Sequence, residues 1–252
     1  MEYQAIRLTL ERPLASIALA RPSDDNRIGA RSLRELEDAC QRLGDDDGVR
    51  VVTLQADGAD FCRGWDDQVL AADFEMAPDP FACLATLPQP VVCAIQGLAS
   101  SAGLELALAC DIRLCSDDAR FSLPETAFAM LPRAGGTQRL ARAAGRGVAL
   151  AMLLAGEELD ATRAYRSGLV ARVVERGVLA AEARAIAESV AARGPIATRY
   201  AKEAIHRGQD MTLDQALRYE TDLTIILQTT EDRAEGVRAF VEKRSKPQFK
   251  GK

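Results

Sequence analysis

Apolar and polar residues alternate along the first part of the chain in the manner of strands. Residues 6–10 and 15–19 each alternate with period two, and the segment 11–13 separates them, which predicts a hairpin of half-buried strands. Residues 49–54 and 91–95 are short runs rich in β-branched side chains, and each predicts a further strand. The N-terminal part is therefore expected to contain a sheet.

Helical patterns lie between these strands. Ser32 and Glu35 have the spacing of a capping box, which predicts a helix that begins at Ser32 and continues through Leu43. The segment 97–103 is rich in small residues and predicts a tight turn, and strong helix formers follow it over 104–110. The order of strand, turn and helix indicates an α/β domain.

Strand patterns stop after residue 178. The remaining sequence predicts four helices, over 179–192, 195–206, 212–228 and 232–243. Gly194 and Pro195 interrupt this series, so we predict a boundary there, with an α/β core over 1–194 and a C-terminal helical region over 195–252. A helical layer of this kind packs either on another subunit or on its own core, and the sequence leaves both open.

Composition limits the classes of function. The chain has 252 residues, of which 48% are hydrophobic, and this suits one α/β domain with a helical appendage. A net charge of −5 argues against a general nucleic-acid binder. The N-terminus lacks a signal pattern and no uncharged apolar run reaches about 18 residues, so we expect no membrane span.

Cysteine and histidine usage narrows the chemistry. The six cysteines form no C-x-x-C pairs and several lie in apolar runs, which favours reduced core thiols and a cytoplasmic setting. His206 is the only histidine, so a Ser-His-Asp triad or a His-rich metal site is not expected. Acid–base chemistry must then come mainly from carboxylates.

Two carboxylates accompany the strand, turn and helix of residues 91–110. Glu105 lies one turn into the helix, and Glu125 follows 20 residues later. The free N–H groups at the start of the helix favour a developing negative charge nearby. This combination predicts proton transfer on an activated carbonyl compound. Alternatively, Glu105 only stabilises the helix dipole and Glu125 only begins a turn.

Six motifs in order resemble those of the crotonase family, also called the enoyl-CoA hydratase/isomerase superfamily. They cover nearly the whole chain and are Asn26 before the first helix, Phe61-Cys62-Arg63-Gly64-Trp65-Asp66, the Gly-rich run 96–103 with Glu105 and Cys110-Asp111, Phe121 to Glu125, Gly135 to Leu140, and the tail from Ala239 to Arg244.

The resemblance implies a fold and a substrate. The expected fold is a crotonase-like α/β spiral of ββα units that form two nearly perpendicular sheets. A C-terminal α-helical oligomerisation region would build homotrimers, often paired into hexamers. The substrate would be an acyl-CoA thioester, with no metal and no separate cofactor, because coenzyme A is part of the substrate.

The resemblance also implies site residues. The backbone N–H groups of Trp65 and Ala102 would form an oxyanion hole, and Glu105 and Glu125 would be the catalytic acid and base. The expected substrate-binding residues are Arg63, Trp65, Asp66, Asp67, Gln68, Ala102, Phe240 and Lys243. The implied activity is that of an enoyl-CoA hydratase, a hydro-lyase of acyl-CoA and fatty acid metabolism that adds water across the 2,3 double bond.

The chain departs from the family pattern near the oxyanion hole. The usual Gly-Gly-Gly run is Ser101-Ala102-Gly103 here, and Ala102 suits the role only if its backbone conformation does not demand glycine. Trp65 replaces a residue that is usually small, so its indole either walls the acyl pocket or packs into the core. The irregular segment 67–89 looks short for the part that lines the acyl pocket, and the acyl group is left open.

Other functions remain as alternatives. A double-bond isomerase, a decarboxylase or a hydrolase is possible on the same scaffold, as is a non-catalytic binding protein of this fold. The last sixteen residues carry six cationic side chains against Glu242, a local balance of +6 − 1 = +5. This tail is either solvated or contacts the phosphates of coenzyme A through Lys243, with Arg63 adding to the same patch.

Overall fold

The computed structural model describes residues 3–71, 79–244 and 247–252. Its strands are β1 (Ile6–Glu11), β2 (Leu14–Leu19), β3 (Val51–Ala56), β4 (Val91–Ile95), β5 (Leu98–Ser100), β6 (Ile112–Ser116), β7 (Arg120–Ser122), β8 (Leu159–Asp160) and β9 (Arg172–Val174). Its helices are α1 (Ala30–Gly44), α2 (Asp67–Ala71), α3 (Ala82–Ala85), α4 (Ala102–Leu108), α5 (Gly136–Ala144), α6 (Arg146–Ala155), α7 (Ala161–Arg166), α8 (Leu179–Ala191), α9 (Pro195–Gly208), α10 (Leu213–Gln228) and α11 (Glu231–Val241).

Six strands form the larger sheet, in the order β1-β2-β3-β4-β6-β9. The predicted hairpin is confirmed, because β1 and β2 pair antiparallel, with Leu10 opposite Ala15. The other neighbours in this sheet pair in parallel. Parallel neighbours need long crossovers, and α1 supplies one of them between β2 and β3.

A second, three-stranded sheet of β5, β7 and β8 accompanies the first. The chain passes from β4 directly into β5 through Gln96 and Gly97, and from β6 it passes to β7 in the same way. Cys62 forms a parallel bridge with Ala99 of β5, so the segment after β3 joins the same layer. Successive units of the chain thus add one strand to each sheet, and this arrangement is a spiral of ββα units.

Strand β4 shows why its sequence is apolar throughout. Val91, Cys93 and Ile95 belong to the main core, whereas Val92 and Ala94 pack against the face that α8 covers. Helix α8 presents Ala183 and other small residues of that face to the sheet. A parallel strand that is buried on both faces needs apolar residues at every position. The cysteines confirm the core prediction, because all except the half-buried Cys83 are buried.

The predicted capping box at Ser32 is wrong. Helix α1 begins at Ala30 with Gly29 as its N-cap, and Ser32 is the third helical residue. The carboxylate of Glu35 is buried and accepts the N–H groups of three residues, Gln4, Ala5 and Ile6, at 2.7–3.2 Å. Glu35 therefore anchors the start of β1 by accepting backbone N–H groups there, and it does not cap α1.

The predicted tight turn over 97–103 is wrong in part, because this segment contains β5. Leu98, Ala99 and Ser100 pair with β7 in parallel. The hydroxyl of Ser122 donates to that of Ser100 at 2.9 Å across the pair. Three small or half-buried residues are too short a run for their pattern to indicate a strand. The predicted irregular segment 67–89 includes α2 and α3, and its residues 72–78 lie outside the described residues.

The four predicted C-terminal helices are α8 to α11. Lys202 of α9 attaches this region to the core, because its Nζ lies 2.8 Å from Asp111 Oδ2 and donates to the Gln89 carbonyl at 3.1 Å. His206 adds a contact of 2.8 Å to the other oxygen of Asp111. The domain boundary near residue 194 stays a prediction. Within the described residues, none of the helices has the length and apolarity that crossing a membrane requires.

Candidate active site

The first backbone donor of the predicted oxyanion hole is the N–H of Trp65. Its neighbours fix the turn, because the Ile28 N–H donates to the Gly64 carbonyl at 2.8 Å and the Asp66 N–H donates to the Ile28 carbonyl at 3.0 Å. The Trp65 N–H itself donates to no acceptor in the described part of the chain. Gly64 has a φ of 125°, a conformation that favours glycine.

The second donor is the N–H of Ala102, the first residue of α4. The first N–H groups of a helix have no acceptor within it. The strained conformation falls on the preceding residue, Ser101, with φ 51° and ψ −122°, while Ala102 is helical. Ala102 therefore meets the condition for a donor, and the departure from the family pattern lies in Ser101.

Close backbone packing holds these two donor segments together. A Cβ atom on Gly103 would lie 2.4 Å from the Cys62 carbonyl oxygen, so only glycine fits there. A Cβ atom on Gly64 would lie 3.1 Å from the Ser101 Cβ. The Ser100 N–H also donates to the Cys62 carbonyl at 3.0 Å. The sharp turn before α4 therefore lies directly against the turn that carries Trp65.

Glu105 points from α4 toward the start of α5 and is fully buried. Its Oε1 accepts the N–H groups of Ala134 at 2.7 Å and Gly136 at 2.8 Å, whereas its Oε2 has no partner among the described residues. A Cβ atom on Gly136 would approach Oε1 to 3.0 Å, so this glycine permits the contact. One oxygen is thus fixed and the other is available for chemistry.

Burial raises the pKa of Glu105 to about 7. The N–H donors of Gly136 and Ala134 oppose this increase, and the negative charge of Glu125 adds to it. Glu125 begins a single 3-10 turn over Glu125–Phe128, and the Met130 N–H donates to its carbonyl at 3.0 Å. Both carboxylate oxygens of Glu125 are buried without a partner in the described residues.

Unpaired buried polar atoms are concentrated at this site. In the part of the chain that the structure describes, five buried side-chain atoms lack a partner, namely Trp65 Nε1, Gln89 Oε1, Glu105 Oε2 and both carboxylate oxygens of Glu125. Buried polar groups are normally paired, so each exception needs a reason. Four of these five atoms belong to predicted site residues, which is what a site for a polar, reacting ligand requires.

Three other predicted residues line a groove beside the oxyanion turn. Asp66, Asp67 and Gln68 share this groove of about 660 Å³ with three arginines, Arg21, Arg31 and Arg34.

Asp66 and Asp67 each have a structural contact with a residue outside the groove lining. Asp66 Oδ1 accepts the Val69 N–H at 2.9 Å and so caps α2, and Asp67 pairs with Arg27 at 3.2 Å. Gln68 is exposed. Arg63 pairs with Asp60 at 2.7 Å, which offsets the charge that it was expected to add to the basic tail.

The structure does not bring the C-terminal candidates to this site. Phe240 is 85% exposed on α11, and Lys243 is exposed just beyond that helix. Within the described residues, no hydrogen bond or ion pair joins either residue to the glutamates or the oxyanion turns. Arg244 pairs with Glu235 at 2.8 Å and with Glu242 at 2.7 Å, so part of the tail's positive charge is neutralised, and Lys246 lies outside the described residues.

Sequence reasoning missed the residues that hold Glu105. The N–H groups of Ala134 and Gly136 are backbone donors, so their side chains carry no chemical signal. The pair Gly135-Gly136 at the start of α5 was the available indication, because Gly135 has a φ of 94° and ends the loop that delivers both donors.

Comparisons with known proteins agree with this geometry. Residues 9–252 match the family model described as Enoyl-CoA hydratase/isomerase. A probable enoyl-CoA hydratase of Mycobacterium tuberculosis is 37% identical over 256 residues, which cover 99% of both chains. An (E)-benzylidenesuccinyl-CoA hydratase of Thauera aromatica is 37% identical over 261 residues, with 98% of this chain and 99% of the relative covered.

A solved structure shows the same fold over the full length. The crystal structure of an enoyl-CoA hydratase from Bacillus anthracis superimposes with a TM-score of 0.92 at 37% sequence identity, covering 99% of this chain and 100% of that one. Sequence and structure therefore agree over the whole chain, and this protein belongs to the enoyl-CoA hydratase/isomerase, or crotonase, family.

Proposed function

We propose that this protein is an enoyl-CoA hydratase, which adds water across the 2,3 double bond of an acyl-CoA thioester. The observation that carries the proposal is that two buried carboxylates, Glu105 and Glu125, have oxygens without partners, and that the N–H groups of Trp65 and Ala102 have no acceptors, among the described residues. Hydration of a conjugated thioester needs a base, an acid and stabilisation of an enolate, and these groups supply all three.

The thioester oxygen would accept the N–H groups of Trp65 and Ala102 and become negative as the enolate forms. Loss of one donor of this kind costs about 3–4 kcal/mol in comparable sites. The two glutamates would activate the attacking water and protonate C2. After burial, the negative charge of Glu125 is a further cause that raises the pKa of Glu105, so the two carboxylates interact electrostatically.

The groove with Arg21, Arg31 and Arg34 supports a location for the phosphates of coenzyme A. It adjoins the oxyanion turn through Asp66. Three aspartates, Asp24, Asp66 and Asp67, balance the three arginines, and Arg21 pairs with Asp24, so Arg31 and Arg34 would be the phosphate contacts. We further propose that Phe240 and Lys243 contact the coenzyme A that is bound in the site of a neighbouring subunit. Exposed apolar residues on α10, such as Leu213 and Leu217, favour the proposed trimer or hexamer, because such residues often mark subunit contacts.

Sequence similarity to known hydratases does not identify the acyl group of the substrate. The hydratases of Mycobacterium tuberculosis and Thauera aromatica described above are equally similar to this chain, at 37% identity. The first name gives only the general class, enoyl-CoA, whereas the second gives one specific ester, (E)-benzylidenesuccinyl-CoA. The second candidate activity is double-bond isomerisation, which the same oxyanion hole and carboxylates support because it also passes through an enolate.

A direct assay separates these two activities. We expect the protein to remove the conjugated-thioester absorbance of crotonyl-CoA and to give a product heavier by one water molecule. A product of unchanged mass would indicate an isomerase. No change in absorbance or mass for crotonyl-CoA, for longer 2-enoyl-CoA esters and for 2-enoyl-CoA esters with a charged acyl end would refute the proposed hydratase activity.

A further inference from the structure

Arg133 is a half-buried cation on the loop whose next residue, Ala134, donates to Glu105, and it has no carboxylate partner in the described residues. Its guanidinium donates to the Val69 carbonyl at 3.4 Å and to the Met130 sulfur at 3.8 Å. Both contacts are long and involve neutral acceptors, although a guanidinium has five N–H donors and forms its strongest bonds to anions. With respect to the residues that the structure describes, Arg133 thus retains most of its capacity to bind an acceptor.

The neighbouring Arg139 shows what a satisfied arginine in this region is like. Its guanidinium contacts both carboxylate oxygens of Asp79, one of them at 3.1 Å, and also donates to the Ala134 carbonyl at 3.0 Å. Arg139 therefore has a structural role that ties α5 to the segment before α3. Arg133 has no such pairing among the described residues, so that part of the fold supplies no anionic partner for its charge.

The position of Arg133 relates it to the reacting end of the site. Ala134, the next residue, donates its N–H to Glu105 at 2.7 Å. Val69, which Arg133 contacts, belongs to the helix that begins just after Trp65 and Asp66. The guanidinium therefore lies between the loop that anchors a catalytic glutamate and the helix that follows the oxyanion turn.

Trp65 presents a second unused donor in the same region. Its indole is 2% exposed and stacks on Phe81 with ring centroids 5.8 Å apart. A buried indole is compatible with both expected locations, the wall of the acyl pocket and the core. The Nε1–H has no acceptor among the described residues, whereas a buried indole N–H usually has one. Trp65 and Arg133 are both donors, and neither can accept a hydrogen bond.

We propose that the acyl group of the substrate carries a carboxylate, which Arg133 binds and which the Trp65 indole N–H assists. This inference rests on the proposed function, because it assumes an acyl-CoA ligand in this site. Two donors without acceptors select a ligand group that accepts hydrogen bonds, and the charge of Arg133 selects an anion. On an acyl chain, the anion that a guanidinium binds in bidentate fashion is a carboxylate.

Binding of saturated CoA esters tests the inference without relying on turnover. Calorimetry would compare succinyl-, adipyl- and suberyl-CoA with butyryl-, hexanoyl- and octanoyl-CoA, so that each pair shares its chain length and coenzyme A. We expect at least one carboxylate ester to bind about 10–100 times more tightly than its neutral partner, as for other hydrogen bonds to charged groups.

Variants assign this preference to individual donors. Arg133→Met should bring the carboxylate-to-neutral ratio close to one, and Trp65→Phe should reduce it about 3- to 10-fold, because one neutral donor is lost while the backbone N–H stays. Arg142→Met is the matched control, since Arg142 is exposed on α5 and contacts Gln138 and Asp210 instead. This control should keep the wild-type ratio.

Two outcomes would overturn the inference. One is equal affinity of the wild-type protein for the charged and neutral esters at all three lengths. The other is an Arg133→Met variant that weakens both members of each pair equally, which would place the phosphates of coenzyme A at Arg133. Failure of the proposed function would appear differently, as a binding preference that persists while no 2-enoyl-CoA ester is hydrated.

Discussion

Replacing Glu105 with glutamine should stabilise the protein, and the gain should grow with pH. Burial raises the pKa of this carboxyl from 4.5 to about 7. Between these two values the folded protein holds a proton that the unfolded chain has lost, so the free energy of unfolding falls as pH rises. Glutamine is uncharged at every pH and has nearly the same shape, so Glu105→Gln removes this loss.

The expected size follows from the pKa shift. One pKa unit corresponds to about 1.4 kcal/mol, so a shift from 4.5 to about 7 gives a full penalty of about 3 kcal/mol above pH 7. Part of this penalty is already present at pH 5. The difference in unfolding free energy between Glu105→Gln and the wild type should therefore increase by about 2–3 kcal/mol from pH 5 to pH 8.

Urea denaturation of both proteins at pH 5, 6, 7 and 8 measures this difference. Glu220→Gln provides the baseline for the loss of one negative charge, because Glu220 is exposed on α10. A difference between Glu105→Gln and the wild type that stays constant over this range, after subtraction of the baseline, would refute the reasoning that burial controls this carboxyl.

Three further predictions concern the turns, the groove and the assembly. Ser101→Gly should raise the unfolding free energy by about 1 kcal/mol in urea denaturation, because glycine adopts a positive φ without strain. Arg34→Ala should raise KM for crotonyl-CoA several-fold with little change in kcat, unlike the exposed control Arg218→Ala, since a phosphate contact gives uniform binding. Sedimentation should show a trimer or hexamer that deletion of residues 195–252 abolishes, and a full-length monomer at micromolar concentration would contradict the proposed assembly.

Much of the fold was predictable because long periodic segments dominate it. The β1–β2 hairpin and the helices after residue 178 follow from hydrophobic spacing alone. The short strand β5 was missed because three residues carry too little pattern to separate a strand from a turn. Glu35 was wrongly assigned to a helix cap because local spacing reveals only near neighbours. Its actual bonds, to the N–H groups of residues 4–6, join distant parts of the sequence.

The candidate site was predictable where side chains carry the chemistry. Glu105 and Glu125 are visible in the sequence as carboxylates within a family motif, and the structure buries both. The groups that tune them are backbone N–H donors of Ala134 and Gly136, which have no signature in residue type. The lack of an acidic partner for Arg133 among the described residues likewise depends on which groups the fold brings near it.

The central claim is that Glu105 and Glu125 act as one acid–base unit. The most direct test is the turnover number for hydration of the preferred 2-enoyl-CoA ester by the wild type, Glu105→Gln, Glu125→Gln and the double variant. We predict that each single variant loses at least about 10²-fold with the fold intact, and that the double variant is hardly slower than either, as for residues that act together. Near-wild-type turnover in one single variant, or losses that multiply in the double variant, would contradict the account.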